Sequence, residues 1–267
     1  MDDLQDIRVF LLDMDGTFYL DDTLLPGALA FLERCRQSKK RFCFLTNNSS
    51  KSPADYIHKL AQLGAVIQRD EILTSADATL AYLAENQFSK DILLFGTASL
   101  EAQFRDAGYR FAQSIAQAPF APSAVVLGFD TSMDYAKLTA LCNAVRAGLP
   151  YIATHPDFNC PTSDGYIPDI GAMMAFVQAS TGRCADAVIG KPNAYIAQAA
   201  AKRFGCAVEQ LCMVGDRLYT DIALGASGCK TVLVLSGETK AEDLAQSPIV
   251  PNLVCANLQE LIGQCGI

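Results

Sequence analysis

Seven residues in four short clusters carry the chemistry open to this sequence: Asp13 with Asp15, Thr46 with Asn47, Lys191, and Asp216 with Asp221. Two carboxylates one residue apart can hold a divalent cation, work as nucleophile and as acid and base, or do both. A third carboxylate, Asp216, makes the group costly unless a cation neutralises it. All-oxygen ligation suits Mg2+, a hard ion that keeps several waters and bridges carboxylates to phosphate. Lys191 adds a fixed positive charge that can hold a phosphate and stabilise charge as it develops. The Thr46 hydroxyl and the backbone N–H groups beside it are phosphate donors at a strand-to-helix turn. An anionic substrate, a hard metal and a positioned nucleophile together describe phosphoryl transfer.

Such residues act only if the chain brings them to one place. Each cluster follows a short apolar run: Val9-Phe10-Leu11-Leu12 before Asp13, Phe42-Cys43-Phe44-Leu45 before Thr46, Val188-Ile189 before Gly190-Lys191, and Leu211-Cys212-Met213-Val214 before Gly215-Asp216. Runs of this length suit strands buried on both faces of a parallel sheet. Ligands of open α/β sheets bind at the carboxyl ends of the strands, where all four clusters would lie. Helices are expected between them. An apolar pattern from Leu29 to Cys35 ends near Lys39-Lys40-Arg41, as befits a helix C-terminus. Ser52-Pro53-Ala54-Asp55 supplies a cap, a proline at the first helical position and an early acid. Ser75 is placed to cap the next helix. Further strands are expected at Ile92–Phe95, Ala124–Asp130, Tyr151–Ala153 and Thr231–Leu235, with helices between, one closing at Gly228 and a hairpin turn at Asp164-Gly165. The alternation implies right-handed βαβ units.

Taken singly, the clusters are ordinary. Asp-x-Asp-Gly is usually a turn, and a calcium loop fails because its twelfth position is Leu24 rather than Glu. Together and in order, Asp13-Met14-Asp15-Gly16-Thr17, Leu45-Thr46-Asn47-Asn48-Ser49, Gly190-Lys191-Pro192 and Val214-Gly215-Asp216-Arg217-Leu218-Tyr219-Thr220-Asp221 resemble the four motifs of the haloacid dehalogenase-like (HAD) phosphohydrolases. The Thr-Asn-Asn-Ser and Gly-Asp-Arg-Leu forms are similar to the NagD-like, 4-nitrophenylphosphatase-like branch (subfamily IIA). The resemblance implies an α/β fold: a Rossmann-like parallel-sheet core with helices on both faces and a smaller inserted α/β cap of C2 type. The spacing leaves room for that cap between Thr46 and Lys191, giving a core of 1–80 and 186–267 and a cap of 81–185.

The resemblance also implies roles. Asp13 would be the nucleophile that forms an aspartyl-phosphate, and Asp15 the acid and then the base. Asp13, the backbone carbonyl of Asp15 and Asp216 would ligate Mg2+. Thr46, Asn47 through its backbone, and Lys191 would bind phosphate, and Asp221 would orient metal waters or Lys191. His155, in a Thr-x-Pro-Asp stretch where many relatives have Asn, either touches substrate or merely satisfies its own loop. The expected activity is hydrolysis of small phosphate monoesters of the sugar phosphate, nucleotide, phosphoglycolate or pyridoxal phosphate type. The rivals are a dehalogenase on the same scaffold, which needs neither Asp15 nor a metal, and a phospho-aspartate signalling protein of similar core. Caps of relatives often dimerise, so a homodimer through the cap is expected.

Composition bounds the rest. In 267 residues, 51% are hydrophobic and 19% charged, enough apolar material for a large domain or two. A net charge of −8 argues against nucleic acid or an anionic membrane as partner, and leaves a small phosphorylated metabolite as the substrate. An acidic start without an apolar run, and ten scattered Cys with no CxxC pair, point to the cytoplasm and to free, mostly buried thiols.

Overall fold

The computed structural model describes residues 4–162 and 164–265. The chain forms two compact units, one of Met1–Thr46, Pro53–Leu73 and Lys191–Ile267, the other of Asn47–Ser52 and Thr74–Gly190. In chain order the first part supplies β1 (Val9–Leu12), a small hairpin of β2 (Tyr19–Leu20) and β3 (Thr23–Leu24), α1 (Ala28–Gln37), β4 (Arg41–Thr46), α2 (Pro53–Gln62) and β5 (Ile72–Thr74). The inserted unit follows with α3 (Ser75–Glu85), β6 (Asp91–Phe95), α4 (Ala98–Asp106), β7 (Arg110–Ala112), β8 (Val125–Leu127), α5 (Tyr135–Arg146), β9 (Tyr151–Ala153), β10 (Asn159–Thr162), β11 (Gly165–Pro168), α6 (Ile170–Thr181) and β12 (Ala187–Val188). The chain then completes the first unit with α7 (Ala194–Phe204), β13 (Leu211–Gly215), β14 (Lys230–Val234), α8 (Ala241–Leu244), β15 (Leu253–Cys255) and α9 (Leu258–Cys265).

The first unit is built on a sheet of order β15-β14-β13-β1-β4-β5. Its β1, β13, β14 and β4 pairings are parallel, with Leu12 level with both Val214 and Phe44. The strands run outward in both directions from β1, so the point where the winding reverses lies between β1 and β13. The apolar runs are buried throughout, as a sheet covered on both faces requires. The buried residues of α1, Ala28, Phe31, Leu32 and Cys35, fall at helical spacing and form one stripe against that sheet. Phe10 meets Phe31 edge to face at 5.3 Å, and Phe18 meets Phe44 at 4.8 Å, so the hairpin, helix and sheet share one core.

The inserted unit has a second parallel sheet, β12-β9-β8-β6-β7. Its winding reverses between β6 and β8. The antiparallel hairpin β10–β11 lies on either side of the turn expected at Asp164-Gly165. This unit is larger than the 81–185 segment read from the sequence. At its start, α3 belongs to it through Asp77, whose carboxylate accepts from Gln103 Nε2 at 2.7 Å. At its end, Ile189 and Gly190 continue the ladder with Ala153 and Thr154, at 3.1 and 2.8 Å.

Two local expectations are corrected. Thr74, not Ser75, caps α3, in a reciprocal capping box with Asp77. The Ser75 hydroxyl donates instead to the Asn47 carbonyl. The helix expected to close at Gly228 is a π turn over Leu218–Ile222 followed by a 3-10 segment over Ala223–Ser227. There the Arg217 carbonyl accepts from both Asp221 and Ile222, at 3.0 and 3.2 Å, which widens the turn. Among the described residues, no helix is long and apolar enough to cross a membrane.

Phe10→Ala empties the junction of sheet and α1 and is expected to lower the unfolding free energy by about 3–5 kcal/mol, read from urea denaturation.

Candidate active site

The reversal point of the first sheet places Asp13 and Asp216 side by side. The Asp13 N–H donates to the Val214 carbonyl at 2.9 Å, extending the ladder one residue past β1. Asp216 follows β13 directly. Thr46 closes β4, on the other side of β1, and is buried. Lys191 is also buried, and its ammonium donates to Asp13 Oδ1 at 2.6 Å, Asp221 Oδ1 at 2.7 Å and the Leu45 carbonyl at 3.2 Å. One cation therefore ties the ends of β1 and β4 to the π turn. The other oxygen of Asp221 accepts from the Arg217 N–H at 3.1 Å.

Asp216 is fixed as tightly. Its Oδ2 accepts from the Glu238 N–H at 2.7 Å, and its Oδ1 lies 3.5 Å from the Thr17 hydroxyl. Three glycines make room for these carboxylates. A Cβ on Gly16 or Gly237 would lie 2.4 or 2.0 Å from Asp216 Oδ2, and one on Gly215 would lie 2.3 Å from the Asp221 carboxyl carbon. Gly16 also has φ +80°, a backbone state that side chains disfavour.

Burial first, then Asp221 and Asp216, push the Asp13 carboxyl up to about 8, although Lys191 pulls the other way. Burial and Asp221 push Asp216 up to about 6 against the Glu238 amide, Arg217 and Lys191. Burial works against the charge of Lys191, but Asp13 and Asp221 outweigh it and hold the ammonium above its usual value. Arg217, paired with Glu238 at 2.9 Å, is raised in the same way: burial opposes its charge, and Asp13 leads the groups that favour it. Carboxylate oxygens of Asp13, Asp216 and Asp221 lie within 4.8 Å of one another. This oxygen-only trio, short of positive charge, can take a hard divalent cation.

Asp15 stands apart from the trio. It is exposed, and its Oδ2 lies 3.4 Å from the Tyr19 hydroxyl. The β2–β3 hairpin brings Tyr19 there: the Gly16 N–H donates to the Tyr19 carbonyl at 2.8 Å, and the Tyr19 N–H to the Met14 carbonyl at 3.1 Å. Sequence reasoning did not find Tyr19, Thr17 or the Glu238 amide. An aromatic or hydroxyl residue in a turn carries no periodic signal, and a backbone donor carries none at all. Asn47 and His155 belong to the inserted unit. The Asn47 amide donates to Asp157 Oδ1 at 2.9 Å. His155 is fully buried, with Nδ1 3.2 Å from the Thr154 hydroxyl and Nε2 3.0 Å from Asp169.

Comparison with known proteins agrees with this geometry. Residues 10–110 match the family described as Haloacid dehalogenase-like hydrolase, and residues 188–261 match the family described as HAD-hydrolase-like. The chain belongs to the haloacid dehalogenase-like hydrolases. Within that family it is similar to a 4-nitrophenylphosphatase of Thermotoga maritima, whose crystal structure superposes with a TM-score of 0.93 at 43% identity over 99% of this chain and 100% of that one. It is 31% identical to an acid sugar phosphatase of Staphylococcus epidermidis over 96% of this chain and 97% of the relative. It is 33% identical to phosphoglycolate phosphatase 2 of Arabidopsis thaliana over 96% and 92%.

Lys191→Met strands buried carboxylates without their cation. In protein freed of metal by a chelator, it is expected to cost about 3–5 kcal/mol of stability in urea denaturation.

Proposed function

We propose that this chain is a Mg2+-dependent phosphatase of small phosphate monoesters, working through an aspartyl-phosphate on Asp13. The observation that carries the reading is the division between the two N-terminal carboxylates. Asp13 sits half-buried against Lys191 and beside Asp216, whereas Asp15 is left outside with its side chain exposed. One carboxylate is placed for phosphorus and metal, the other for a proton.

The residues fit the ion. Asp13 and Asp216 offer hard oxygen donors, and the upward push on both carboxyls supports a site that gains from added positive charge. Mg2+ bound there, with the Asp15 carbonyl as a further donor, would offset the negative charge of nucleophile and phosphate. Asp13 attacks phosphorus, the ester P–O bond breaks, and Asp15 gives its proton to the leaving oxygen. Asp15 then takes a proton from water, which attacks the aspartyl-phosphate, releases inorganic phosphate and restores Asp13. Lys191 keeps the Asp13 carboxylate aimed and neutralises phosphate charge. Thr46 and the Asn47 backbone hold the phosphate oxygens, and Asp221 orients Lys191 through their 2.7 Å bond.

The named phosphatases among the relatives support hydrolysis of phosphate esters over dehalogenation or phosphate signalling. Magnesium is also the ion in a glycerol phosphate phosphatase structure from Mycobacterium tuberculosis, with a TM-score of 0.86 and 29% identity over 98% of this chain. In this reading the inserted unit acts as the cap that selects what hangs from the phosphate, and a homodimer forms through it. Tyr135, Phe158 and Tyr166, all exposed on that unit, support such a contact. Cys142, Cys184, Cys206 and Cys229 are free thiols, which suits work in the reducing cytoplasm.

Purified Asp13→Asn is expected to keep the circular dichroism of the parent and to lose all measurable hydrolysis of 4-nitrophenyl phosphate. Retained turnover would falsify the nucleophile assignment. The parent, dialysed against EDTA, is expected to fall silent and to recover with Mg2+; undiminished activity in EDTA would refute the metal's role.

A further inference from the structure

The inserted unit buries a line of polar groups that the proposed chemistry does not use. The Phe129 N–H donates to the Ser49 hydroxyl at 2.9 Å, and that hydroxyl lies 2.9 Å from the Thr154 hydroxyl. Thr154 Oγ1 is 3.2 Å from His155 Nδ1, and His155 Nε2 is 3.0 Å from Asp169 Oδ1, which also accepts from the Ile170 N–H at the start of α6. Ser49, Thr154, His155 and Asp169 are all buried. The hydrogens sort themselves. With the neutral ring's hydrogen on Nε2, toward the Asp169 carboxylate, Nδ1 is left to accept from Thr154. Thr154 in turn accepts from Ser49, and Ser49 from Phe129. Both nitrogens of His155 are then spent, and its ring is closed to solvent.

The place matters as much as the bonds. This sheet reverses its winding between β6 and β8, and the crevice beyond their carboxyl ends is where a doubly wound sheet takes a ligand. Here the chain's own segment Asn47–Ser52 is held there. Ser49 is bonded to Phe129 just past β8, and the Thr97 hydroxyl just past β6 donates to the Ser50 carbonyl at 2.8 Å. The same segment is held at its head by Ser75 on the Asn47 carbonyl and by Asp157 on the Asn47 amide. Gly190 closes on it: a Cβ there would lie 2.5 Å from Asn47 Oδ1 and 2.6 Å from His155 Cβ. Asn47 is peptide-bonded to Thr46, and Gly190 to Lys191.

We propose that Ser49, Thr154 and His155 are positioning residues for phosphate capture. They seat the segment after Thr46 in the crevice, against Gly190, and so fix the backbone on which Thr46, the Asn47 N–H and Lys191 are presented. The proposal rests on the phosphatase reading and assigns His155 to this line rather than to substrate.

Thr154→Val keeps the side-chain shape and removes the central hydroxyl, whereas Thr154→Ser keeps the hydroxyl. Val145→Ala, in the buried face of α5, is the control for lost stability without loss of the line. Melting temperature, kcat and KM for 4-nitrophenyl phosphate, and calorimetric affinity for inorganic phosphate with Mg2+ are measured on each full-length protein. Thr154→Val is expected to lower kcat and phosphate affinity about tenfold or more, with Thr154→Ser returning most of both and Val145→Ala leaving both at parent values at a similar melting loss. Parent-like kinetics and phosphate affinity in Thr154→Val, or an equal loss in Val145→Ala, would overturn the proposal. Should Thr154→Val not fold, Ser49→Ala breaks the same line and is judged by the same two outcomes. A parent that hydrolyses no phosphate ester defeats the phosphatase reading instead, and the phosphate affinities still decide whether the line supports the binding residues.

Discussion

Everything in the first unit is arranged around one buried ammonium. Lys191 lies among carboxylates of residues 178 positions back and 30 positions on in the chain, at 2.6 and 2.7 Å. Charges taken out of water are costly, and such pairs hold only with good geometry and with their remaining lone pairs satisfied. The structure meets both demands at Asp221. The second oxygen of Asp221 has the Arg217 amide, Lys191 has the Leu45 carbonyl, and Asp216 has the Glu238 amide. Gly16, Gly215 and Gly237 stand where any side chain would overlap a carboxylate. The glycines of the motifs are thus a packing consequence of crowding three acids around one base.

The crowding leaves an imbalance, and the imbalance is the functional property. One lysine does not neutralise Asp13, Asp216 and Asp221, so burial and mutual repulsion hold Asp13 and Asp216 well above ordinary carboxylates. A site in that condition favours a cation, and a cation with open positions favours a phosphate. The sheet order makes the crowding possible: β1 and β13 are neighbours, and their ends meet where the winding reverses.

What could be read from the sequence was local. A buried apolar run that stops at an Asp or a Thr is visible in one dimension, so Asp13, Thr46 and Asp216 were legible as strand ends. The stripe of α1 and the Ser52-Pro53 start of α2 were legible for the same reason. β5, β7 and β15 were not legible, although they are no shorter than β8 and β9, which were; β7 at least is not buried and so shows no apolar run. Only the family resemblance offered Lys191 as one of two partners for Asp221, thirty residues away, and the Tyr19 hydroxyl reaches Asp15 only because a hairpin folds back. The edges of the inserted unit were out of reach because they fall inside continuous elements: β5 runs straight into the cap of α3, and the ladder of β12 runs on through Gly190. His155 shows the deeper limit. A histidine beside a Pro-Asp loop has the same sequence signature whether it faces solvent or, as here, ends a buried line of hydroxyls.

The two sheets obey one topological rule and put it to different uses. In the first, the reversal point gathers the acids and the lysine. In the second, the corresponding crevice is filled by a piece of the chain itself. The chain passes between the units at four places, and two of them fall beside Thr46 and Lys191. The other two fall at helix starts, before Pro53 and at Thr74, the latter fixed by its capping box with Asp77. At the first two crossings, the seating of Asn47–Ser52 and Gly190 within the inserted unit adds to the order that β4 gives Thr46 and that three hydrogen bonds give Lys191. Loss of that seating would return backbone freedom to the residues next to both Thr46 and Lys191, at a cost of roughly 1–2 kcal/mol per residue. In the proposed function, an inserted unit joined at these points cannot loosen its own crevice without loosening the backbone next to Thr46 and Lys191.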